Sequence, residues 1–345
     1  MDVSVILATY NRSARLKEML GTLSQMSVPK GLSWELILVD NNSTDDTKAA
    51  VEELAGKSAL NVEYVFEKTQ GKSSALNTGV RQAKGDIIAF TDDDVIVDPE
   101  WLTEIARAFV RFDCLAVAGR VVPVWEQPQP LWLDLEDQQA VVHFDYGEFA
   151  QEIDIAPIGA NMAFRRQIFE QYGLFRVGLS VYKRQSGGTE DMEFGLRLLS
   201  AGQKIMYVPE AVIYHPVDQN RATKKYVLHW ALTLGKKMSQ ARLWPADAVK
   251  YRGVPRYLFR SLVEDSLKYA VSLDRKQRFK YKVRAYREYG EICEVLQNPE
   301  AVPTEIPTLV PTISSSSSVE SSPNSSFAYE DHVDAPIGAT VEEHS

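Results

Sequence analysis

The first 120 residues alternate between two apolar patterns, and this constrains the fold more than any other feature of the chain. "VSVILAT" (Val3 to Thr9), "WELILVD" (Trp34 to Asp40), "NVEYVFE", "DIIAF" and "LAVAG" are short runs rich in β-branched residues. Between them lie amphipathic stretches. "ARLKEMLGTLSQM" puts Leu16, Met19, Leu20 and Leu23 at helical spacing. Thr44 to Leu54, Ser73 to Ala83 and Glu100 to Phe112 read the same way, the last introduced by Pro99. Strands that are apolar throughout need cover on both faces, and parallel neighbours need a crossover helix between them. The expected fold is therefore α/β, with a mainly parallel, Rossmann-like sheet and helices on both faces. Ligands of such sheets bind at the carboxyl ends of the strands.

Beyond residue 120 the pattern loosens. Val121 to Ala150 is irregular, with Pro123, Pro128 and Pro130 among aromatics. "GANMAFRRQIFEQYG" reads as a strand running into a helix. Leu174 to Gly188 has few core signals and two adjacent glycines, which predicts a mobile loop. "EDMEFGLRLLSAG" is a helix closed by Gly202, and Lys204–Val208 and Ala211–Tyr214 read as short strands. From Ala222 the chain turns helical. Between Lys250 and Gly290 there are 12 Lys/Arg against 4 Asp/Glu, a local +8 within a chain of net charge −9. After Pro299 comes "TISSSSSVESSPNSS", in a tail with 8 acidic residues and no Lys or Arg. That composition cannot offset its ordering entropy, so disorder and dispensability for catalysis are expected. The expected organisation is a catalytic domain over 1–220 (a nucleotide-binding half, 1–120, and an acceptor half, 121–220), a helical extension over 221–298, and a disordered tail over 299–345. Two cysteines, Cys114 and Cys293, make neither a disulfide framework nor a zinc pattern. No apolar run reaches the ~18–20 residues of a membrane span, and "MDVSVILATYNR" has no basic leader. A cytoplasmic protein is expected, with peripheral membrane contact through the basic helices of 250–290 as one reading and solvated helices packed on the catalytic domain as the other. No nucleic-acid partner is expected.

The stretch "AFTDDDVIVDPEWL" sets three carboxylates, Asp92, Asp93 and Asp94, at the end of an apolar run. Adjacent carboxylates repel, and a divalent cation is the first candidate to offset this. Hard ions such as Mg²⁺ and Mn²⁺ favour one or two carboxylates plus phosphate oxygens. The bland alternative is a solvated turn capping the helix after Pro99. Asp40 ends the second strand and can share a rim with these residues, although "DNNSTDDT" would also serve as a turn and helix cap. Other motifs fail on inspection. "GKS" at Gly71–Ser73 lacks the earlier P-loop glycine, since Phe66 stands there. "DNNSTDDT" lacks the glycine and glutamate of a calcium loop, having Asp45 and Val51 instead. No GxGxxG follows the first strand.

Six motifs in order, "VSVILATYNR", "ELILVDNNSTDDT", "GKSSALNTGV", "GDIIAFTDDDV", "GANMAFRR" and "GTEDMEFGLRLLSAG", resemble glycosyltransferase family 2 over roughly Val3 to His215. Ala8 departs from the family, where many members have proline. The resemblance implies a GT-A fold and inverting transfer from a nucleotide-diphospho-sugar, with UDP the commonest nucleotide. It implies that Thr9 and Tyr10 line the nucleotide pocket, Asp40 accepts from the base, and Lys72 sits beside the base or its phosphates. Asp92 would reach the ribose and Asp94 the metal, Mn²⁺ or Mg²⁺, with Asp92 also counted near the metal and Asp93 in the donor site between them. Asp191 matches the family's general base, and Glu190 would orient the acceptor or that base.

The chemistry agrees with these assignments. An inverting transfer needs a base for the acceptor hydroxyl and positive charge on the departing diphosphate. Read without the other motifs, Glu190 and Asp191 would only complement a helix N-terminus, worth ~0.3–1 kcal/mol each. Asn161 in "GAN" is a candidate contact for acceptor or diphosphate, against a turn role. Some relatives carry a histidine where His215 stands as a further metal ligand; a satisfied structural histidine is the alternative. Trp125, Trp132 and Tyr182 could stack on sugars or pack in a core or lid. The acceptor would be a carbohydrate or a lipid-linked sugar, as in cell-surface polysaccharide or glycolipid synthesis. Two rivals are a sugar nucleotidyltransferase, which would need a glycine-rich loop where "LATYNRSARL" has none, and a non-catalytic nucleotide-sugar-binding protein, which would not need Asp92, Asp94 and Asp191 intact.

Overall fold

The computed structural model describes residues 1–55, 60–133, 140–178, 189–241, 244 and 247–299. The tail after 299, Tyr182 and most of the loop expected to be mobile lie outside the described residues. The strands are β1 (Val3–Thr9), β2 (Trp34–Asp40), β3 (Val62–Phe66), β4 (Ile87–Asp92), β5 (Ile96–Val97), β6 (Ala116–Trp125), β7 (Gln151–Ile153), β8 (Asn161–Arg165), β9 (Ile205–Val217), β10 (Lys250–Tyr251) and β11 (Val254–Pro255). The helices are α1 (Ser13–Leu23), α2 (Thr47–Ala55), α3 (Lys72–Gln82), α4 (Trp101–Arg111), α5 (Gln167–Tyr172), α6 (Glu190–Ser200), α7 (Lys224–Ala241), α8 (Arg256–Val271) and α9 (Arg275–Gln297).

The described residues form one main sheet in the order β3-β2-β1-β4-β8-β6-β9-β5, with β7 added beside β9. β3, β2, β1 and β4 are parallel, and each of their connections carries a helix. β8 enters antiparallel between β4 and β6. Leu36 to Val39 and Ile88 to Phe90 are buried on both sides of the sheet, which is why these strands read as unbroken apolar runs.

An aromatic cluster fixes the second half to the first. Phe90 of β4 meets Phe175 edge-on at 5.4 Å, and Phe194 of α6 stacks on Phe169 at 5.2 Å and meets Phe164 of β8 at 5.1 Å. Such pairs contribute about 0.5–1.5 kcal/mol each beyond area burial. They lock the start of α6 against the sheet.

Where two short strands were expected between residues 204 and 214, β9 is one strand of 13 residues that passes through Pro209. The ladder to β6 shifts register at Gly119/Arg120, and this bulge absorbs Pro209, which cannot donate to a ladder. His215 therefore lies inside β9, opposite Pro123.

The helices after residue 221 pack on the sheet through a second apolar cluster. Leu133, Val141, Val217, Val227 and Phe279 form it, with Trp125 and Trp132 against them. Trp132 meets Phe279 edge-on at 4.8 Å, under the ammonium of Lys224. Both tryptophans thus serve packing, not an open sugar platform. α7 and α9 approach closely at two glycines. A methyl on Gly235 would overlap the carbonyl of Arg287, and one on Gly290 would overlap that of Leu232. Ser239 adds a hydrogen bond to the Glu291 carbonyl at 2.9 Å. Because the obstacle at Gly235 is backbone, Gly235→Ala must push α7 off α9. We expect a stability loss of about 1–3 kcal/mol or more, measured as a drop in melting temperature, with Gly21→Ala, inside α1 and meeting nothing within 4 Å, as a control that holds or raises it.

Candidate active site

Strand register brings the first group of residues together. Thr9 is paired with Asp40, and Ala8 with Asp92, so the ends of β1, β2 and β4 stand level on the carboxyl edge of the sheet. Asp40 is buried and accepts from the Tyr64 hydroxyl at 2.8 Å and the Ser43 amide at 2.8 Å. Burial and the Asp40 carboxylate push the Tyr64 phenol well above its ordinary pKa, which keeps it a donor. Asn41 ties the next strand end to α3, donating to the Thr69 carbonyl at 2.8 Å and accepting from the Gly71 amide at 2.7 Å. Gly71 has φ +139°, a conformation open to glycine. This tether sets Lys72 at the start of α3, with its Nζ 2.5 Å from Asp92 Oδ1. Tyr10 stands at the rim, 47% exposed.

The aspartates diverge. Asp93 turns inward, accepting from Thr9 Oγ1 at 2.7 Å and Arg12 Nη1 at 2.7 Å. Arg12 also donates to Asp94 Oδ2 at 2.8 Å. Arg15 and Arg221 approach the same oxygen at 3.6 and 3.7 Å, and His215 Nε2 lies 3.6 Å from Asp94 Oδ1. Burial raises the Asp93 pKa, with the neighbouring aspartates adding to it against Arg12. Burial acts on Asp94 as well, but His215, Arg12, Arg221 and Lys72 together hold it below the usual carboxylate range. The loop carrying Arg12 is itself anchored: Asn11, at φ 51°, accepts from the Thr44 amide at 2.7 Å, and the Ser13 amide donates to Asp45 at 3.2 Å.

Glu190 and Asp191 open α6. Asp191 is half-buried, and its Oδ2 accepts from the Gly159 amide at 2.7 Å. Glu190 is 2% exposed, and its Oε2 has no hydrogen-bond partner. Burial, then the Asp191 charge, pushes Glu190 up to about 7, against Lys72 and Lys237. Burial raises Asp191 too, against Lys72 and the amides of Gly159 and Met192. Lys72 therefore acts on both the β4 aspartates and the α6 carboxylates.

Two expectations change. Asn161 is fully engaged by the framework: its Nδ2 donates to the carbonyls of Arg120 at 2.8 Å and Ala211 at 2.9 Å, and its Oδ1 accepts from Trp101 Nε1 at 2.8 Å. It fills the break in the β6–β9 ladder, so no polar atom is left for a donor or acceptor. Asp92 pairs with Lys72 and does not join Asp94 and His215; among the described residues no three His, Cys, Asp or Glu side chains converge as a ready metal cage. Asp94 and His215 alone fit a divalent ion. His215 Nδ1 lies 3.0 Å from the Pro216 carbonyl, an acceptor only, so Nδ1 carries a proton; Nε2 faces Asp94, pairing with it when the ring is charged and offering a lone pair to a cation when the ring is neutral, the form that burial favours. An imidazole lone pair facing a carboxylate suits Mn²⁺.

Arg12, Arg15, Arg221 and Lys237 were not singled out from the sequence. "NRSAR" directly after β1 was the available signal for the first two. Arg221 and Lys237 lie in stretches with no strand-end or motif signature.

Asn161→Ala would orphan one buried donor and two carbonyls, at about 1–3 kcal/mol for each group left unsatisfied. A large fall in melting temperature is expected; loss of donor affinity at unchanged stability would restore a ligand role.

Residues 4–173 match the profile described as Glycosyl transferase family 2. The chain is 30% identical over 223 residues to the succinoglycan biosynthesis protein ExoM of Rhizobium meliloti, covering 65% of this chain and 69% of that protein. It is 28% identical over 185 residues to the dolichol-phosphate mannosyltransferase of Pyrococcus furiosus, covering 52% of this chain and 51% of that protein. Among solved structures, a mannosyltransferase from Pyrobaculum calidifontis in complex with GDP-Man and Mn2+ superposes with a TM-score of 0.58 at 20% identity, covering 86% and 87% of the two chains. GalNAc-T7 with UDP, GalNAc and Mn2+ gives 0.56 at 15% identity, over 88% of this chain and 58% of that one. With the shared GT-A fold and a relative matched over more than two thirds of its length, this chain belongs to glycosyltransferase family 2 and is a glycosyltransferase.

Proposed function

We propose that this glycosyltransferase moves a sugar with inversion from a nucleotide-diphospho-sugar, a UDP-sugar, to the hydroxyl of a carbohydrate or lipid-linked acceptor in cell-surface polysaccharide or glycolipid synthesis. One observation carries the reading: Lys72 pairs with a strand-edge carboxylate, Asp92, at 2.5 Å, and its charge also acts on Asp191, a half-buried carboxylate on a second element. A donor held at the sheet edge and an acceptor at the start of α6 would meet across that lysine.

In this reading 1–120 binds the nucleotide and 121–220 the acceptor, with 221–298 completing the site. Asp40 and Thr9 floor the base and ribose pocket and Tyr10 closes its rim. Asp92 takes the ribose, and Asp93 acts from beneath by holding Arg12. Arg15 and Arg221 stand too far from Asp94 for short hydrogen bonds, so their donors remain for the diphosphate. Asp94 and His215 would hold Mn²⁺ or Mg²⁺, which supplies positive charge for the departing diphosphate. Asp191, fixed by the Gly159 amide, takes the acceptor hydroxyl's proton as that oxygen attacks the anomeric carbon. Glu190 orients it from behind. Asp191→Asn should lower kcat by about 10²–10⁴-fold while calorimetry finds donor affinity kept; transfer at the original rate would remove Asp191 as base. Asp94→Ala should abolish the Mn²⁺-dependent part of donor binding, and undiminished metal dependence would move the ion elsewhere.

The acceptor class is supported by the similarity to the Pyrococcus dolichol-phosphate mannosyltransferase and by the exposed apolar and basic residues of the C-terminal helices. Among the described residues no helix is long and apolar enough to cross a membrane. Val263, Leu267 and Val271 nonetheless form an exposed face of α8, and Leu273, at the turn into α9, is 98% exposed. Arg275, Lys276 and Arg278 are exposed beside it. The fold leaves Val263 and Leu267 open to solvent. An apolar tip ringed by basic residues suits the cytosolic surface of an anionic membrane. Co-sedimentation with phosphatidylglycerol vesicles should be strong at low salt and lost in Leu267→Asp/Leu273→Asp; equal sedimentation of that variant would place the contact elsewhere.

A further inference from the structure

α7 carries a lysine that neither the motifs nor the family match reaches. Lys237 is 6% exposed, and its Nζ is buried with no hydrogen-bond partner. A buried ammonium without a partner is costly, and side chains of this kind are rarely kept without a compensating charge. Helical geometry says which way it points. Gly235 and Ser239 face α9, as the close approach and the Ser239 hydrogen bond require. At about 100° per residue, Lys237 sits roughly 200° from both. It is on the side of α7 turned away from α9, yet it is covered, so it is directed into the catalytic body. Thr233 and Ala241, one turn either way, are buried on the same stripe.

The charges that act on Lys237 there are Glu190 and Asp191. Those that act on Glu190 are Asp191, Lys72 and Lys237, and Asp191 also feels Asp92. Glu190 Oε2 is the other buried orphan of the site. An ammonium with three unused donors and a carboxylate oxygen with no donor thus stand on elements that act on each other.

We propose that Lys237 is a positioning residue of the transfer reaction: its buried ammonium supports the Glu190–Asp191 pair from the side opposite the donor and holds both carboxylates in the charged form a base requires. Lys72 supplies the matching charge from the donor side. Lys72 must also serve Asp92 and the donor, whereas Lys237 touches neither. The α7–α9 joint at Gly235 and Gly290 fixes the helix that presents it. Burial pushes Lys237 down and the two carboxylates push it back up, so its charge depends on theirs. Glu190, raised to about 7, is protonated below that pH, and the pair is fully charged only above it.

This inference rests on Asp191 as the base, and the test separates the two. In protein labelled with ¹³C at Glu side-chain carboxyls, the Glu190 signal, assigned with Glu190→Gln, is titrated in wild type, Lys237→Met and Lys237→Arg. The acid limb of hydrolysis is followed in parallel with UDP-glucose, UDP-GlcNAc and GDP-mannose. Lys237→Met should move both the Glu190 midpoint and the acid limb up by about one pH unit, and Lys237→Arg should leave both near wild type. An unmoved Glu190 midpoint in a folded Lys237→Met protein overturns the proposal, as does a Lys237→Met protein that cannot fold, since the lysine would then belong to the framework. If Asp191→Asn keeps full activity, the base assignment falls instead, whatever the titration shows.

Discussion

Three consecutive aspartates can end a buried strand only if each finds its own counterpart, and most of the site is arranged by that requirement. Asp92 goes to Lys72, Asp93 to Thr9 and Arg12, and Asp94 to Arg12 with Arg15, Arg221 and His215 around it. Each partner comes from a different place: the ends of β1 and β9, the β1–α1 loop, α1, the first turn of α3 and the turn before α7. The carboxylates therefore organise the sheet edge before any ligand arrives. The same arrangement leaves the edge rich in donors suited to phosphate oxygens, since a guanidinium at 3.6 Å retains most of its hydrogen-bonding capacity.

The second dependence runs from the C-terminal helices to the start of α6. Family resemblance by sequence profile stops at residue 173, but Glu190, Asp191, His215, Arg221 and Lys237 all come later. Glu190 and Asp191 fall in the motif GTEDMEFGLRLLSAG, and all five are held in place by packing. The Phe164–Phe169–Phe194 stack seats α6, the cluster around Trp132 and Phe279 seats α7, and the glycine contacts clamp α7 to α9. A substitution far from the sheet edge, such as one at Gly290, can thus reach the proposed base through rigid elements.

Much of this was legible in the sequence, for identifiable reasons. Apolar strands alternating with amphipathic helices specified the parallel half, because periodicity and burial are local properties of the chain. Strand ends could be read as a site because parallel sheets place them on one rim. The long β9 was not legible: Pro209 argues for a break, and the bulge that accommodates it depends on Gly119 and the Asn161 side chain in other strands. The framework contacts of Asn161 were hidden for the same reason, since its three partners are distant in sequence. Arg221 and Lys237 gave no signal, because a lone basic residue in a helical stretch looks like any solvated one until the fold covers it. The exposure of Val263, Leu267 and Leu273 was not legible either, since only the arrangement of α8 against α9 leaves them uncovered.

The account stands or falls on a single displacement at the anomeric carbon, driven from the face where Asp191 lies. The direct measurement is ¹H NMR of the first sugar product released or transferred from an α-linked UDP-sugar, recorded before mutarotation can mix the anomers. The account predicts that the product forms as the β-anomer. An α-product at the earliest time points would contradict it, because one displacement by the acceptor oxygen inverts the anomeric carbon.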